Sequence, residues 1–227
     1  MKKFILFSFI LLLLMPTLAA AHSASELSDK LVSKEIYFQP IDQAAPDFDL
    51  FGIDGNAVSL TDYRGKVLVL YFIYGNCPDV CPLQSQYLAD VQASVNLTPM
   101  RDLVEFVAIT TDPKNDDDEF RRDYGINQGL DRANWDFLTS GQDRLTGTRE
   151  LVSEFGHKFE LIEDGLQVHG TVTHIIDQRG QWRGNFHGLG FNKTNMVLFI
   201  NALTNERHQD GESDGSGVWD RIKSIFN

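Results

Sequence analysis

An α/β fold, with one central mixed sheet and helices on both of its faces, is predicted by three observations. The run Val67 to Tyr74 is almost continuously apolar, the pattern of a strand covered on both faces rather than of one that alternates between core and water. Stretches whose apolar residues recur at helical spacing alternate with such runs. The series closes on a hairpin and a last helix, giving the order β-α-β-α-β-α-β-β-α behind an initial N-terminal hairpin.

The elements follow in order. Pro46-Asp47-Phe48-Asp49-Leu50 begins an alternating pattern, and Gly52 to Gly55 turns it back into a hairpin. Leu60 to Lys66 leads into the central strand. The helix behind it is expected to start near Pro82, where the missing amide hydrogen has no helical partner to lose, with Leu83, Tyr87, Leu88, Val91 and Val95 on one face. Leu103 to Thr110 reads as the second strand. An acidic stretch, Asp116 to Glu119, opens a helix that Gly125 is expected to end. Trp135 to Thr139 reads as a short strand, and Leu145, Thr148, Leu151, Val152 and Phe155 as a helical stripe closed by Gly156. Val168 to Ile176 and Gln181 to Arg183 flank the turn Asp177-Gln178-Arg179-Gly180. Met196, Val197, Phe199, Ile200 and Leu203 mark the last helix.

This divides the chain of 227 residues into four expected parts. Residues 1–21 have the layout of a secretory signal peptide: Lys2 and Lys3, an apolar block from Phe4 to Met15, then Pro16 and Ala19-Ala20-Ala21. Cleavage is expected after Ala21; uncleaved, the segment would be a short membrane anchor. No cysteine follows the block, which excludes a lipoprotein anchor. The chain is therefore expected to be exported, to a periplasm, either soluble or held by its N-terminus. Residues 22–45 read as a linker, 46–204 as the domain, and 205–227 as an acidic flexible tail with a short amphipathic end from Val218 to Phe226. The net charge of −12 makes nucleic acid and anionic membrane surfaces poor partners and leaves cations or a basic protein surface as suitable ones.

The chemistry rests on the only two cysteines, in Cys77-Pro78-Asp79-Val80-Cys81-Pro82 directly after the central strand. A strand thus delivers two thiols to the mouth of a helix, where amide dipoles favour thiolate. A disulfide across so short a loop removes little chain entropy, so a purely structural bridge is a weak explanation. Two readings remain: a dithiol/disulfide couple, or a soft metal held by two thiolates and a third donor. Two thiolates suit copper(I), whereas a closed zinc site asks for four ligands. Asp79, between the thiols, is either a solvated turn residue or a group that tunes them. The histidines alone read as structural or surface residues.

The string Tyr71 to Pro82 resembles the Sco/SenC family of thioredoxin-like copper proteins. So do Gly65-Lys66-Val67, Thr111-Asp112-Pro113, Phe137-Leu138-Thr139 and Val168-His169-Gly170 leading into Ile175-Ile176-Asp177. The resemblance covers roughly residues 46–204 and implies a thioredoxin-like fold. It also implies a copper-binding metallochaperone that assembles the binuclear copper centre of cytochrome c oxidase. Cys77, Cys81 and His169 would be the copper ligands, and the partner a copper-accepting oxidase subunit or another copper protein. His174 stands where the family usually has tyrosine, on the opposite face of a strand from the site; His157 and His187 keep a structural reading. His22 would become a new amino terminus after cleavage. The rival function is a thiol-disulfide oxidoreductase, with Cys77 and Cys81 as its redox-active pair, that keeps the cysteines of a copper protein reduced. General oxidoreductases of this fold carry Cys-x2-Cys and a proline facing it, yet this chain has three residues between its thiols and no proline after Pro113. A peroxidase would need Thr/Ser-x-x-Cys, which Tyr74-Gly75-Asn76-Cys77 lacks.

Overall fold

A computed structural model of the chain describes residues 23–161, 167–168 and 170–212. Helix α1 spans Ala24–Lys34, strand β1 Phe38–Ala44, and the short strands β2 and β3 Asp49–Phe51 and Ala57–Ser59. Strand β4 is Val67–Ile73, helix α2 Val80–Asn96, β5 Val104–Thr110, α3 Asp118–Asn127 and β6 Trp135–Leu138. Helix α4 is Gly147–Glu154, followed by β7 Glu160–Leu161, β8 Gln167–Val168, β9 Val172–Ile176, β10 Gln181–His187 and α5 Lys193–Glu212.

Six strands form the central sheet in the order β1-β10-β9-β4-β5-β6. Strands β4, β5 and β6 are parallel, while β9 runs antiparallel to β4, which makes the sheet mixed. Strand β4 is at its centre and every residue in it is buried, as its unbroken apolar sequence requires. Val67, Val69, Tyr71 and Ile73 point into one core, shared with Leu88 and Val91 of α2, Tyr124 of α3 and Phe199 of α5. Leu68, Leu70 and Phe72 point into the other, with Phe48, Leu50, Leu60 and, from α4, Leu151 and Val152. Each fully buried side chain of this size contributes about 1.5–3 kcal/mol, so burial of β4 on both faces is a large contribution to the fold. Helices therefore cover both faces, and β2 and β3 form the expected hairpin.

The structure departs from the sequence reading at several places. The segment expected as linker holds α1 and β1, and β1 is an edge strand of the central sheet, paired antiparallel with β10. Only Phe38 in β1 is buried; an edge strand facing water on most positions carries no strong periodic signal, and Pro40 is tolerated there because the edge needs fewer amide donors. Helix α2 starts at Val80, so Cys81 and Pro82 lie inside its first turn, whose amides have no helical partners. Leu83, expected on the buried face, is exposed. Gly125 does not end α3 but sits within it, where a built Cβ would come within 2.5 Å of the Trp135 ring. Leu145 lies ahead of α4, partly exposed. Strand β10 continues to His187, and α5 to Glu212, into the segment read as tail. The signal segment, His22 and the amphipathic end at 218–226 lie outside the described residues.

Candidate metal centre

The polypeptide leaves β4 at Ile73 and reaches Cys77 through a tight turn, in which the Cys77 amide donates to the Tyr74 carbonyl at 3.2 Å. Gly75 holds this turn in place. Its amide donates to both carboxylate oxygens of Asp116, at 3.0 and 3.1 Å, and a Cβ there would lie 2.6 Å from the Phe120 ring. Asp116 is itself buried and accepts the Thr110 hydroxyl at 2.5 Å. Burial pushes its carboxyl up to about 6, against the lowering effect of the Thr110 and Gly75 donors.

Asp79 is the N-cap of α2, its carboxylate accepting the Val80 amide at 2.6 Å, the arrangement that satisfies an orphan donor at a helix start. Of the two sequence readings of this residue, the turn reading describes its side chain, while its backbone amide also faces Cys77. Capping turns the helix mouth toward the first thiol: the Cys81 amide donates to the Cys77 sulfur at 3.2 Å. Both cysteines are free and buried. Their environments split the pair. A hydrogen bond from the Cys81 thiol, helped by the amides of Cys81 and Asp79 and by the Tyr74 hydroxyl, brings the Cys77 thiol down to about 6 against the effect of burial. The Cys81 thiol is pushed well up by the same hydrogen bond and by burial. Cys77 is thus the thiol biased toward thiolate and Cys81 the one biased toward keeping its proton.

A groove of about 420 Å³ opens onto Cys77, bordered by Pro82, Phe120 and Tyr124 and by the carboxylates Glu119 and Asp123. On the other side, Tyr74 ties the site to β8. Its hydroxyl lies 3.4 Å from the Gln167 carbonyl and 3.3 Å from the Gln167 amide, and Thr111 donates to the Gln167 side chain. His169, the third residue of the predicted ligand set, lies outside the described residues. Among the described residues, no group of three or more His, Cys, Asp or Glu is arranged to hold a metal ion, so Cys77 and Cys81 are a two-donor set. Their chemistry fits copper(I), which two soft donors satisfy.

His174, read as pointing away from the site, does so. It pairs with Leu70 across the sheet and lies on the Leu70 face, fully buried among Phe72, Phe155 and Trp182. The residues missed by sequence reasoning are Tyr74, Asp116 and Gln167. The sequence reads Asp116 only as part of an acidic helix opening; its place six residues after Thr110, the last residue of β5, is the signal for its hydrogen bond.

The SCO1/SenC family profile matches residues 39–204. The chain belongs to the SCO1/SenC family. A SCO1 protein homolog of Bacillus subtilis is 30% identical over 157 residues, covering 66% of this chain and 77% of its own length. Among solved structures, BsSco, a member of the Sco family of cytochrome c oxidase assembly proteins in which a disulfide switch was identified, superposes with a TM-score of 0.64 at 21% identity, over 74% of this chain and 96% of that one. ScoI of Arabidopsis thaliana with copper bound gives 0.60 at 21% identity, over 73% and 99%. The fold is thioredoxin-like, as the resemblance implied.

Proposed function

We propose that this protein is an exported copper metallochaperone that carries copper as cargo to a cytochrome c oxidase subunit or another copper protein, with Cys77, Cys81 and His169 as its ligands. The observation that carries this reading is the thiol pair itself, two sulfurs at one helix mouth with Cys77 biased toward thiolate. Family membership and the copper-bound Arabidopsis neighbour support copper as the ion; the BsSco description supports oxidase assembly as the process. Gln167, two residues before His169, is held against Tyr74, three residues before Cys77, which supports His169 as the third donor. The carboxylates bordering the thiol groove suit a basic acceptor surface. The apolar N-terminal block supports export, and no described helix is long and apolar enough to cross a membrane.

The asymmetry of the two thiols supports a second reading, thiol-disulfide exchange on a copper-protein partner, because a low-pKa attacking thiol beside a protonated one is the arrangement such exchange uses. His169→Ala separates the two. Copper(II) prefers nitrogen donors and higher coordination than two thiolates provide, so the variant should lose copper(II) and its thiolate charge-transfer absorption while its disulfide still forms and reduces. A chaperone would then fail to restore oxidase activity in a deletion strain. Full restoration by His169→Ala would reject copper delivery in favour of exchange.

A further inference from the structure

Behind the thiols runs a series of buried hydroxyls whose direction follows from one end. The Trp135 indole nitrogen can only donate, and it donates to the Tyr71 hydroxyl at 3.2 Å. The Tyr71 oxygen also bonds the Ser85 hydroxyl, and Ser85 Oγ lies 3.0 Å from the Tyr124 hydroxyl. Each hydroxyl has one hydrogen to give. If Tyr124 donated to Ser85 and Ser85 to Tyr71, the Tyr71 hydrogen would be left over where nothing is exposed, at the full cost of an unmade buried hydrogen bond. In the other direction Tyr71 donates to Ser85, Ser85 donates to Tyr124, and the spare hydrogen is that of Tyr124. Tyr124 is 6% exposed and borders the groove that opens onto Cys77, where a bound ligand can accept it. Burial raises the pKa of this hydroxyl, which keeps the proton on it.

The rest of the groove defines what that acceptor is. Glu119 and Asp123 stand on its border, both exposed, and neither carboxylate is bonded or paired with another described residue. They repel an anionic acceptor and attract a neutral one carried on a cationic segment. Gln128 adds a second donor to the lining: its side-chain oxygen takes the Gln86 amide at 2.9 Å, which leaves its own NH2 group unspent. Donors beside free carboxylates match one common arrangement, the backbone carbonyls of a polypeptide with Lys or Arg side chains next to them.

We propose that the groove between α2 and α3 docks a basic segment of the partner protein, one of whose backbone carbonyls accepts the Tyr124 hydroxyl while its Lys or Arg side chains pair with Glu119 and Asp123. Docked so, the segment runs past Cys77, which lines the same groove of about 420 Å³, and brings a donor side chain of the partner to that thiol. The proposal rests on the copper-delivery reading and adds the chemistry of the acceptor to it. Tyr124 acts through the docked backbone and is a positioning residue.

The test uses no copper, so its failure is separate from a failure of the delivery reading. Full-length protein carrying Cys81→Ser is reduced and mixed with short peptides whose central cysteine is disulfide-linked to thionitrobenzoate. The Cys77 thiolate attacks the peptide sulfur, a disulfide between Cys77 and the peptide forms, and thionitrobenzoate leaves with the electron pair of the broken bond and is read by its absorbance. Hydroxyethyl disulfide, which has no carbonyl, reports the reactivity of Cys77 alone, and each peptide rate is divided by it. An acetylated Lys-Ala-Cys-Ala-Lys amide should react about 2–10-fold faster than its Glu-Ala-Cys-Ala-Glu counterpart, with the difference shrinking at high salt. Tyr124→Phe removes only the hydroxyl and should lower the ratio for both peptides by about 3–10-fold. Glu119→Gln with Asp123→Asn should bring the lysine preference close to one. A ratio undiminished in Tyr124→Phe overturns the proposal, as does a lysine preference that survives the two amide substitutions. Copper binding by the native protein, measured separately, decides the delivery reading whichever way the peptides behave.

Discussion

If the Cys81 thiol is what holds Cys77 in its thiolate form, removing that one donor should move the titration of Cys77 and leave the rest of the site standing. The Cys77 thiol is brought down to about 6, with the hydrogen bond from Cys81 as the leading cause and the amides of Cys81 and Asp79 as lesser ones. Cys81→Ala deletes the leading donor and keeps both amides. The midpoint should then rise into the interval between about 6 and the ordinary value of about 8.5. Cys81→Ser restores a hydroxyl donor at nearly the same place and should keep the midpoint close to the native one.

The choice of assay follows from the magnitudes. At pH 7 a thiol titrating at 6 is about 90% thiolate, and one titrating at 8.5 about 3%, a change of roughly 30-fold in reactive species. A thiolate of higher pKa is also the better nucleophile, with a Brønsted slope of about 0.4–0.5, so over 2.5 units it regains roughly 10–20-fold. The alkylation rate at one pH would hardly move, and the informative measurement is the full rate–pH profile with iodoacetamide, the modified residue being identified by mass. A Cys81→Ala profile that still turns over near pH 6 would refute the assignment of Cys81 as the controlling donor and pass that role to the helix amides.

Asp116 and Gly125 give the remaining expectations. The folded-state carboxyl of Asp116 is raised to about 6 from an unfolded value of about 3.9. It therefore contributes stability that is fully present below about pH 4 and is lost as pH rises through 6, about 2–3 kcal/mol in all. Urea denaturation at pH 5 and 7.5 should show this loss in the native protein and not in Asp116→Asn; equal slopes in both would remove Asp116 as its source. Gly125→Ala sets a helix-propensity gain of about 1 kcal/mol against overpacking of about 1–3 kcal/mol, and the Trp135 ring, buried and within 2.5 Å of the new Cβ, cannot yield cheaply. A lower thermal midpoint is expected; a higher one would show that α3 can shift away from β6.

What was legible in the sequence and what was not have separate physical causes. Strand β4 could be read because burial on both faces demands an unbroken apolar run, and the thiol pair because Cys-x3-Cys with flanking prolines is an uncommon arrangement in a chain with two cysteines. Strand β1 could not. It holds its place through backbone pairing with β10, which side-chain pattern does not record. Gly125 misled because a glycine near a helix end fits a C-cap as well as a close approach, and only the position of Trp135, ten residues on, distinguishes them. Asp116 and Tyr74 were hidden for a related reason: their roles come from partners on other elements, Gly75 and Gln167, that no local pattern joins to them.

The separation of thiols from imidazoles depends on the register of one strand pair. Leu70 of β4 lies opposite His174, and Tyr71 opposite Thr173; a slip of one residue would turn His174 toward the thiol face and Thr173 away from it. Apolar pattern alone fixes that register weakly in β9, since Val172, Thr173, His174, Ile175 and Ile176 are all buried and both faces are lined by nonpolar groups. A polar contact supplies the specificity. Gln84 of α2 donates from its side-chain amide to the Val172 carbonyl and lies 3.3 Å from the Thr173 hydroxyl. Both partners are buried, so a slipped register would leave the amide unsatisfied, at about 1–3 kcal/mol. Gln84 is on the helix that carries Cys81, one turn from it. The helix that presents the second thiol is therefore also an element that holds β9 in register and keeps His174 on the far side of the sheet.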